Sequence, residues 1–246
     1  EKKPFGKNLV KKKKPKNNEI SDEDWEAIRN FQTTEIKEAE GINKITNDIR
    51  IEINKFTQSN YNLQLNLIFE LIDKITGSDL FKDNDKLFVS KLIFDVACSN
   101  KFYSELYAKF ISELYYKYDW LATNFNNLIK EKNIEYLKFE IIDASQDYEK
   151  FCQINKINEN RRAFSEFCIN IMKLKILSID EIFNILNNYK ELFKENLNNP
   201  ESGINEQIAE NITILVCGIR NLTDNKDEIE DIFQFISNIT KYSISD

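Results

Sequence analysis

The 246-residue sequence contains no histidine, and it has only 5 glycines and 3 prolines. Without histidine, the chain lacks the commonest general base and the commonest metal ligand of proteins. An all-β protein, with a turn about every eight to twelve residues, would need more glycine and proline, whereas long helices need few of either. The composition therefore favours an all-helical protein.

The four cysteines also fail to form a recognisable site, because none of them shares a CxxC or other metal-binding spacing. Each lies among apolar residues, which predicts buried free thiols in a reducing compartment. The four cysteines of the chain are Cys98, Cys152, Cys168 and Cys217.

The longest apolar run is far below the roughly 18 residues that a membrane span requires, and the lysine-rich start is not followed by the apolar core of a secretory signal. We expect a cytoplasmic protein, with the nucleus as the alternative, and no membrane contact.

Catalytic motifs are missing as well, including GxxxxGK[ST], GxGxxG and GxSxG. Serine and cysteine nucleophiles would have no histidine to activate them. Acidic groups such as Asp22–Asp24 lie at predicted helix starts, where the helix dipole explains them. The sequence thus predicts a protein that is not an enzyme and that uses no cofactor and no metal.

Charge is divided unevenly along the chain. Residues 1–18 hold eight lysines against one glutamate, a net charge of +7, whereas residues 19–246 carry −14. A basic segment joined to an acidic body is typical of a disordered tail, and phosphate-rich RNA is a natural ligand for it. A nuclear-import signal is the alternative. The candidate RNA-binding residues are Lys11, Lys12, Lys13, Lys14 and Lys16.

Apolar residues recur at helical spacing through the rest of the chain. Residues 19–42 are predicted as a linker with a short helix, and residues 43–246 as the main domain. Helix pairs about 40 residues apart are typical of a HEAT-type α-solenoid, here with about four to five antiparallel hairpins and an incomplete last one. An irregular helical bundle is the alternative. The predicted helices cover 43–56, 60–76, 84–98, 101–118, 121–131, 135–151, 160–176, 179–197, 205–222 and 228–241.

The helices predicted at 84–98 and 101–118 have the clearest amphipathic pattern. Their expected core-facing residues are Leu87, Leu92, Val96, Phe102, Leu106, Phe110 and Leu114. For the helix predicted at 179–197, Ser178 or Asp180 is the expected N-cap.

Three segments resemble one family. Leu92–Ala97, followed by Phe102 and Tyr107-Ala108, is similar to the second hairpin in the middle domain of eukaryotic translation initiation factor 4G. Ile49–Tyr61 resembles the opening signature of that domain, Val-Arg-x-x-Leu-Asn-Lys-Leu-Thr-x-x-x-Phe. Phe167–Leu177 resembles its Phe-Ile-Gly motif. Order and spacing agree over about 44–241.

The sequence departs from the family pattern at several places. Ile169 replaces the glycine of the Phe-Ile-Gly motif, whereas Gly218 matches a later family glycine. The family's tryptophan-lysine-proline motif has no clean copy, since Val10–Pro15 lacks the tryptophan. Tyr116 and Leu121 match two elements of the tyrosine-x4-leucine motif that binds cap-binding factor 4E. We expect this segment, and the aromatic cluster around it, to be helix-end packing rather than a platform for RNA bases. The cluster comprises Tyr115, Tyr116, Tyr118 and Trp120.

The resemblance implies a HEAT-repeat scaffold of translation initiation. Such a scaffold binds a DEAD-box RNA helicase of the initiation factor 4A type and mRNA, and reaches a cap-binding protein through regions outside this chain. The family contacts the C-terminal lobe of the helicase with its first hairpin turn. The alternatives are a related scaffold in mRNA decay, deadenylation, splicing or nuclear cap binding, or a mainly RNA-binding protein that acts through the basic tail. The matching helicase-binding positions are Asn54, Lys55, Phe56 and Tyr61.

Overall fold

The computed structural model describes residues 41–77, 81–197 and 203–220, together with residues 230–232, 234, 235 and 237. Within these residues all regular secondary structure is α-helical, which confirms the all-α fold class. The predicted tail, and all of the predicted linker except residues 41–42, lie outside the described residues. Eight helices are described end to end: α1 (Ile42–Asn54), α2 (Tyr61–Thr76), α3 (Asp83–Cys98), α4 (Ser104–Lys117), α5 (Asp119–Tyr136), α6 (Tyr148–Lys173), α7 (Ile179–Asn196) and α8 (Gly203–Ile219).

The first four helices lie where the sequence predicts them, with ends that differ by three residues at most. The predicted start of α7 is also confirmed. Ser178 is its N-cap: the Ser178 hydroxyl accepts from the Glu181 N–H at 3.2 Å. In return the Glu181 carboxylate accepts from the Ser178 N–H at 2.9 Å, which completes a capping box.

The middle of the chain differs from the prediction. A single helix, α5, replaces the predicted 121–131 helix and runs on to Tyr136, and irregular chain follows to residue 147. Asp147 then caps α6 by accepting from the Lys150 N–H at 2.9 Å, so the helix predicted at 135–151 is wrong. No glycine or proline marks the true break in sequence. Tertiary packing decides it, because the buried Tyr136 ring lies 5.4 Å from that of Phe164.

The helices pack mainly against neighbours in chain order. α1 packs on α2 and α3, and α3 packs on α4, α5 and α6. α4 packs on α5 and α6, whereas α6, α7 and α8 pack on one another. Phe94, which is fully buried, joins three of these helices, because its ring lies 6.1 Å from Phe125 and 5.9 Å from Phe167. Burial of a side chain of this kind contributes about 1.5–3 kcal/mol.

α6 and α8 approach so closely that one position requires glycine. A Cβ atom added at Gly218 would lie 2.6 Å from Cγ1 and Cγ2 of Ile169. The side chain of Ile169 therefore occupies the space that Gly218 leaves open. The two positions form one packing contact, in which the larger residue at 169 depends on the absence of a side chain at 218.

Two of the expected core residues are exposed. α4 begins at Ser104, so Phe102 lies in the preceding turn and is 96% exposed. Leu87 is 48% exposed near the start of α3. All four cysteines are free, but only Cys98 and Cys168 are buried. The prediction of burial is wrong for Cys152 and Cys217, because each lies on a helix face turned away from the core.

Candidate functional site

The first turn, residues 55–60, joins α1 to α2 and holds its shape through its own side chains. The Asn60 carboxamide accepts from the Thr57 N–H at 2.7 Å and donates to the Lys55 carbonyl at 2.8 Å. The Thr57 hydroxyl accepts from the Asn60 N–H at 3.3 Å and lies 3.0 Å from the Ser59 hydroxyl. Asparagine and threonine form such local bonds readily, and here they fix the backbone on which the predicted contact residues stand.

Phe56 and Tyr61 anchor the first turn from beneath. Phe56 is 3% exposed, and its ring lies 5.2 Å from Tyr61 and 5.0 Å from Phe110 of α4. The Tyr107 hydroxyl reaches the Ile53 carbonyl at 3.5 Å and connects α4 to the end of α1. These aromatic residues stabilise the turn and present almost no surface to a partner.

Asn54 and Lys55 are the two predicted contact residues that lie on the surface. The Lys55 ammonium forms an ion pair with Glu52 at 2.8 Å, and the Lys55 side chain remains 52% exposed. An exposed pair of this kind contributes about 0–1 kcal/mol, so Lys55 can exchange it for a partner's carboxylate at little cost. The surface that the turn presents thus combines exposed side-chain amides, one cation and the hydroxyls of Thr57 and Ser59.

Tyr61 has an unusual environment. Its hydroxyl is buried and has no hydrogen-bond partner among the described residues, and the Lys109 ammonium lies 4.3 Å from its ring centroid. Burial, with a smaller effect of the Glu113 charge, raises the pKa of Tyr61 far above its usual value. The residue is therefore neutral at physiological pH. It also lines a groove of about 500 Å³ between α2, α4 and α6.

A second groove, of about 660 Å³, is lined in part by Asn54. We call it the Phe102 groove, because that exposed ring stands at its rim. The sequence does not predict this groove, since the predicted helix 101–118 includes Phe102 and the remaining lining comes from distant segments. Periodicity around residues 99–103 contains no signal for it. The lining residues are Asn54, Val96, Ser99, Asn100, Lys101, Phe102, Tyr107, Lys156, Glu159, Arg162 and Ala163.

The aromatic cluster after α4 is mostly engaged within the fold. The Tyr118 hydroxyl donates to the Asp73 carboxylate at 2.6 Å, and this bond is the main cause that lowers the pKa of Asp73. The Trp120 ring packs on Phe81 at 5.5 Å. Leu121 is fully buried and so offers no side chain to a cap-binding protein.

The predicted RNA-binding lysines, Lys11 to Lys14 and Lys16, lie outside the described residues. Within the part of the chain that the structure describes, no three histidine, cysteine, aspartate or glutamate side chains are grouped to hold a metal ion. No described helix combines the length and the apolar character that a membrane crossing needs. Comparison with family models, with curated proteins and with solved structures finds no match to this chain.

Proposed function

We propose that this protein is a non-catalytic scaffold of translation initiation, which binds a DEAD-box RNA helicase of the initiation factor 4A type, and RNA, to promote mRNA recruitment and unwinding. One observation supports the helicase contact most. The residues that match the family's opening signature form a single unit, in which Asn54 and Lys55 are exposed while Phe56 and Tyr61 hold them from below. A rigid, partly charged turn on an aromatic base is well suited to recognise a folded partner.

The helix arrangement supports the second part of the proposal, a HEAT-type α-solenoid of about four to five hairpins. Packing between helices one to three places apart in the chain is typical of stacked helical repeats. α6, with 26 residues, and the irregular segment before it depart from a regular repeat. In this proposal the array keeps the two ends of the scaffold at a constant separation.

A constant separation between the two ends of the scaffold allows it to hold both lobes of the helicase in one relative orientation. By resemblance, the first turn meets the C-terminal lobe, and the far helices touch the N-terminal lobe more weakly. A scaffold that binds the closed arrangement of the lobes better than the open one shifts the enzyme toward the closed state. Its effect cannot exceed the difference between those two affinities.

The test is the double substitution Asn54→Ala with Lys55→Ala. If both side chains are interface hot spots, helicase affinity should fall by roughly 1–3 kcal/mol, or about 5- to 150-fold in Kd, with unchanged helicity and melting. Isothermal titration calorimetry measures the affinity, and a helicase unwinding assay measures stimulation.

The matched control is Asn66→Ala with Lys74→Ala, which removes the same two residue types from exposed positions of α2. Helicase binding by this control should equal that of the parent. Full binding and stimulation by the Asn54/Lys55 variant would show that the first turn is not the interface.

The alternative function is a related scaffold in mRNA decay, deadenylation, splicing or nuclear cap binding. The identity of the helicase that co-purifies with the protein distinguishes this alternative from translation initiation.

A further inference from the structure

Phe102 is the most exposed large apolar residue described in the protein, and the local structure holds it in a defined position. The Asn100 carboxamide accepts from the Tyr103 N–H at 3.3 Å, and the Ser104 N–H donates to the Lys101 carbonyl at 3.4 Å. These bonds close the turn around Phe102, which is 96% exposed. Tyr103 beside it is 45% exposed, so two neighbouring aromatic rings are open to solvent.

The Phe102 groove has a charge opposite to that of the body. Its lining contains Lys101, Lys156 and Arg162 against Glu159, a net charge of +2, whereas residues 19–246 carry −14. Three of these four charged side chains belong to ion pairs: Lys156 lies 3.6 Å from Glu159, and Arg162 lies 2.7 Å from Glu210. Lys101 forms no ion pair with any described residue. The local reversal of charge favours an anionic occupant.

Uncharged donors and acceptors complete the lining. Asn100 brings a side-chain amide, which can pair with the edge of a base, and Ser99 brings a hydroxyl. The half-buried Val96 adds apolar surface. Exposed aromatic rings beside cations and amides are the combination with which proteins bind unpaired nucleotides, because any base can stack on a ring while lysines contact the phosphates.

We propose that the Phe102 groove binds single-stranded RNA, with one base stacked on Phe102 and the adjacent phosphates on Lys101 and Lys156. The proposal deepens the RNA-binding part of the proposed function and rests on it, but it does not depend on the helicase contact. It also differs from binding by the basic tail. Lysines alone give an affinity that falls steeply with salt, whereas base stacking persists when salt screens the phosphates.

The test uses the full chain and a single-stranded oligouridine about eight nucleotides long, within the usual site size of such proteins. Fluorescence anisotropy gives the Kd at low and at high salt. Phe102→Ala should raise the Kd roughly 5- to 100-fold, with the ratio to the parent kept at high salt, and Phe102→Trp should restore binding. Because Phe102 has almost no contact with the core, the variant should fold like the parent.

Phe88→Ala is the matched control, since Phe88 is 47% exposed near the opposite end of α3. Its Kd should equal that of the parent. As a second readout, oligonucleotides that carry 4-thiouridine are cross-linked by light and the adducts are mapped by mass spectrometry. Adducts at Phe102 or Tyr103 support the proposal.

The other outcomes each overturn the proposal. Equal affinities of Phe102→Ala and Phe88→Ala, with adducts only in residues 1–18, would assign RNA binding to the tail. Absence of RNA binding by the parent chain would remove RNA from the proposed function while leaving the helicase contact intact. Loss of helicase binding in Phe102→Ala, with RNA affinity unchanged, would make the groove a protein interface.

Discussion

Arg161 provides the sharpest test of how the middle of the fold is held together. It is 1% exposed, although it is a cation with no carboxylate partner among the described residues. Its guanidinium donates to the carbonyls of Tyr136 at 2.7 Å and Lys138 at 2.9 Å, and to the side chain of Asn158. It also stacks on the Phe139 ring at 3.7 Å. The Arg161 side chain, which belongs to α6, thus provides hydrogen-bond donors for backbone carbonyls at the C-terminal end of α5.

The perturbation is Arg161→Met, which keeps much of the volume and removes every donor. Each charge-assisted bond to a carbonyl contributes about 1.5–3 kcal/mol, and the two carbonyls would lose their partners in a buried site. In the parent, burial of the guanidinium charge opposes the stabilisation by these hydrogen bonds, and the same burial lowers the pKa of Arg161. Removal of the buried charge offsets part of the free energy lost with the hydrogen bonds. We therefore expect the free energy of unfolding to fall by about 3–5 kcal/mol.

Urea denaturation followed by far-ultraviolet circular dichroism measures this change. Arg162→Met is the matched control: the neighbouring residue is partly exposed and pairs with Glu210 at the surface. Its cost should stay near 0–1 kcal/mol. Arg161→Lys should also destabilise the protein, because an ammonium cannot span both carbonyls with a fixed fork. Equal stability of Arg161→Met and Arg162→Met would refute the role given to Arg161.

Two further predictions concern packing and pH. Gly218→Ala should lower the free energy of unfolding by about 1–3 kcal/mol, because the added methyl group meets Ile169. In thermal melts, Gly218→Ala combined with Ile169→Ala should cost less than the sum of the two single changes, because the smaller side chain at 169 removes the clash. Tyr118→Phe removes the bond that lowers the pKa of Asp73. A carboxyl group whose pKa is lowered in the folded state stabilises the protein at pH values above its unfolded pKa. The difference in unfolding free energy between parent and variant should therefore be largest at neutral pH and shrink as the pH falls below about 4. A gap that is independent of pH in urea titrations would contradict this assignment.

Local chemistry made the ends of several elements predictable. Ser178 and Glu181 are a capping pair that can be recognised within four residues of sequence. The family resemblance selected Asn54 and Lys55, and their exposure follows from their place at the end of the first hairpin, where a turn meets solvent. In contrast, the end of α5 at Tyr136 has no local signal, and it depends on packing against residues about 25 positions away along the chain.

The sequence by itself therefore determined the helical class, the first two helix pairs and the exposed pair at the first turn, because spacing and capping act within a few residues. Tertiary structure alone decided the rest. It buried Arg161 under the carbonyls of another helix, matched Ile169 to Gly218, and turned Phe102 outward beside cations from α6. Each of these arrangements joins segments that are remote in the chain, and only the packed helices bring their atoms within contact distance.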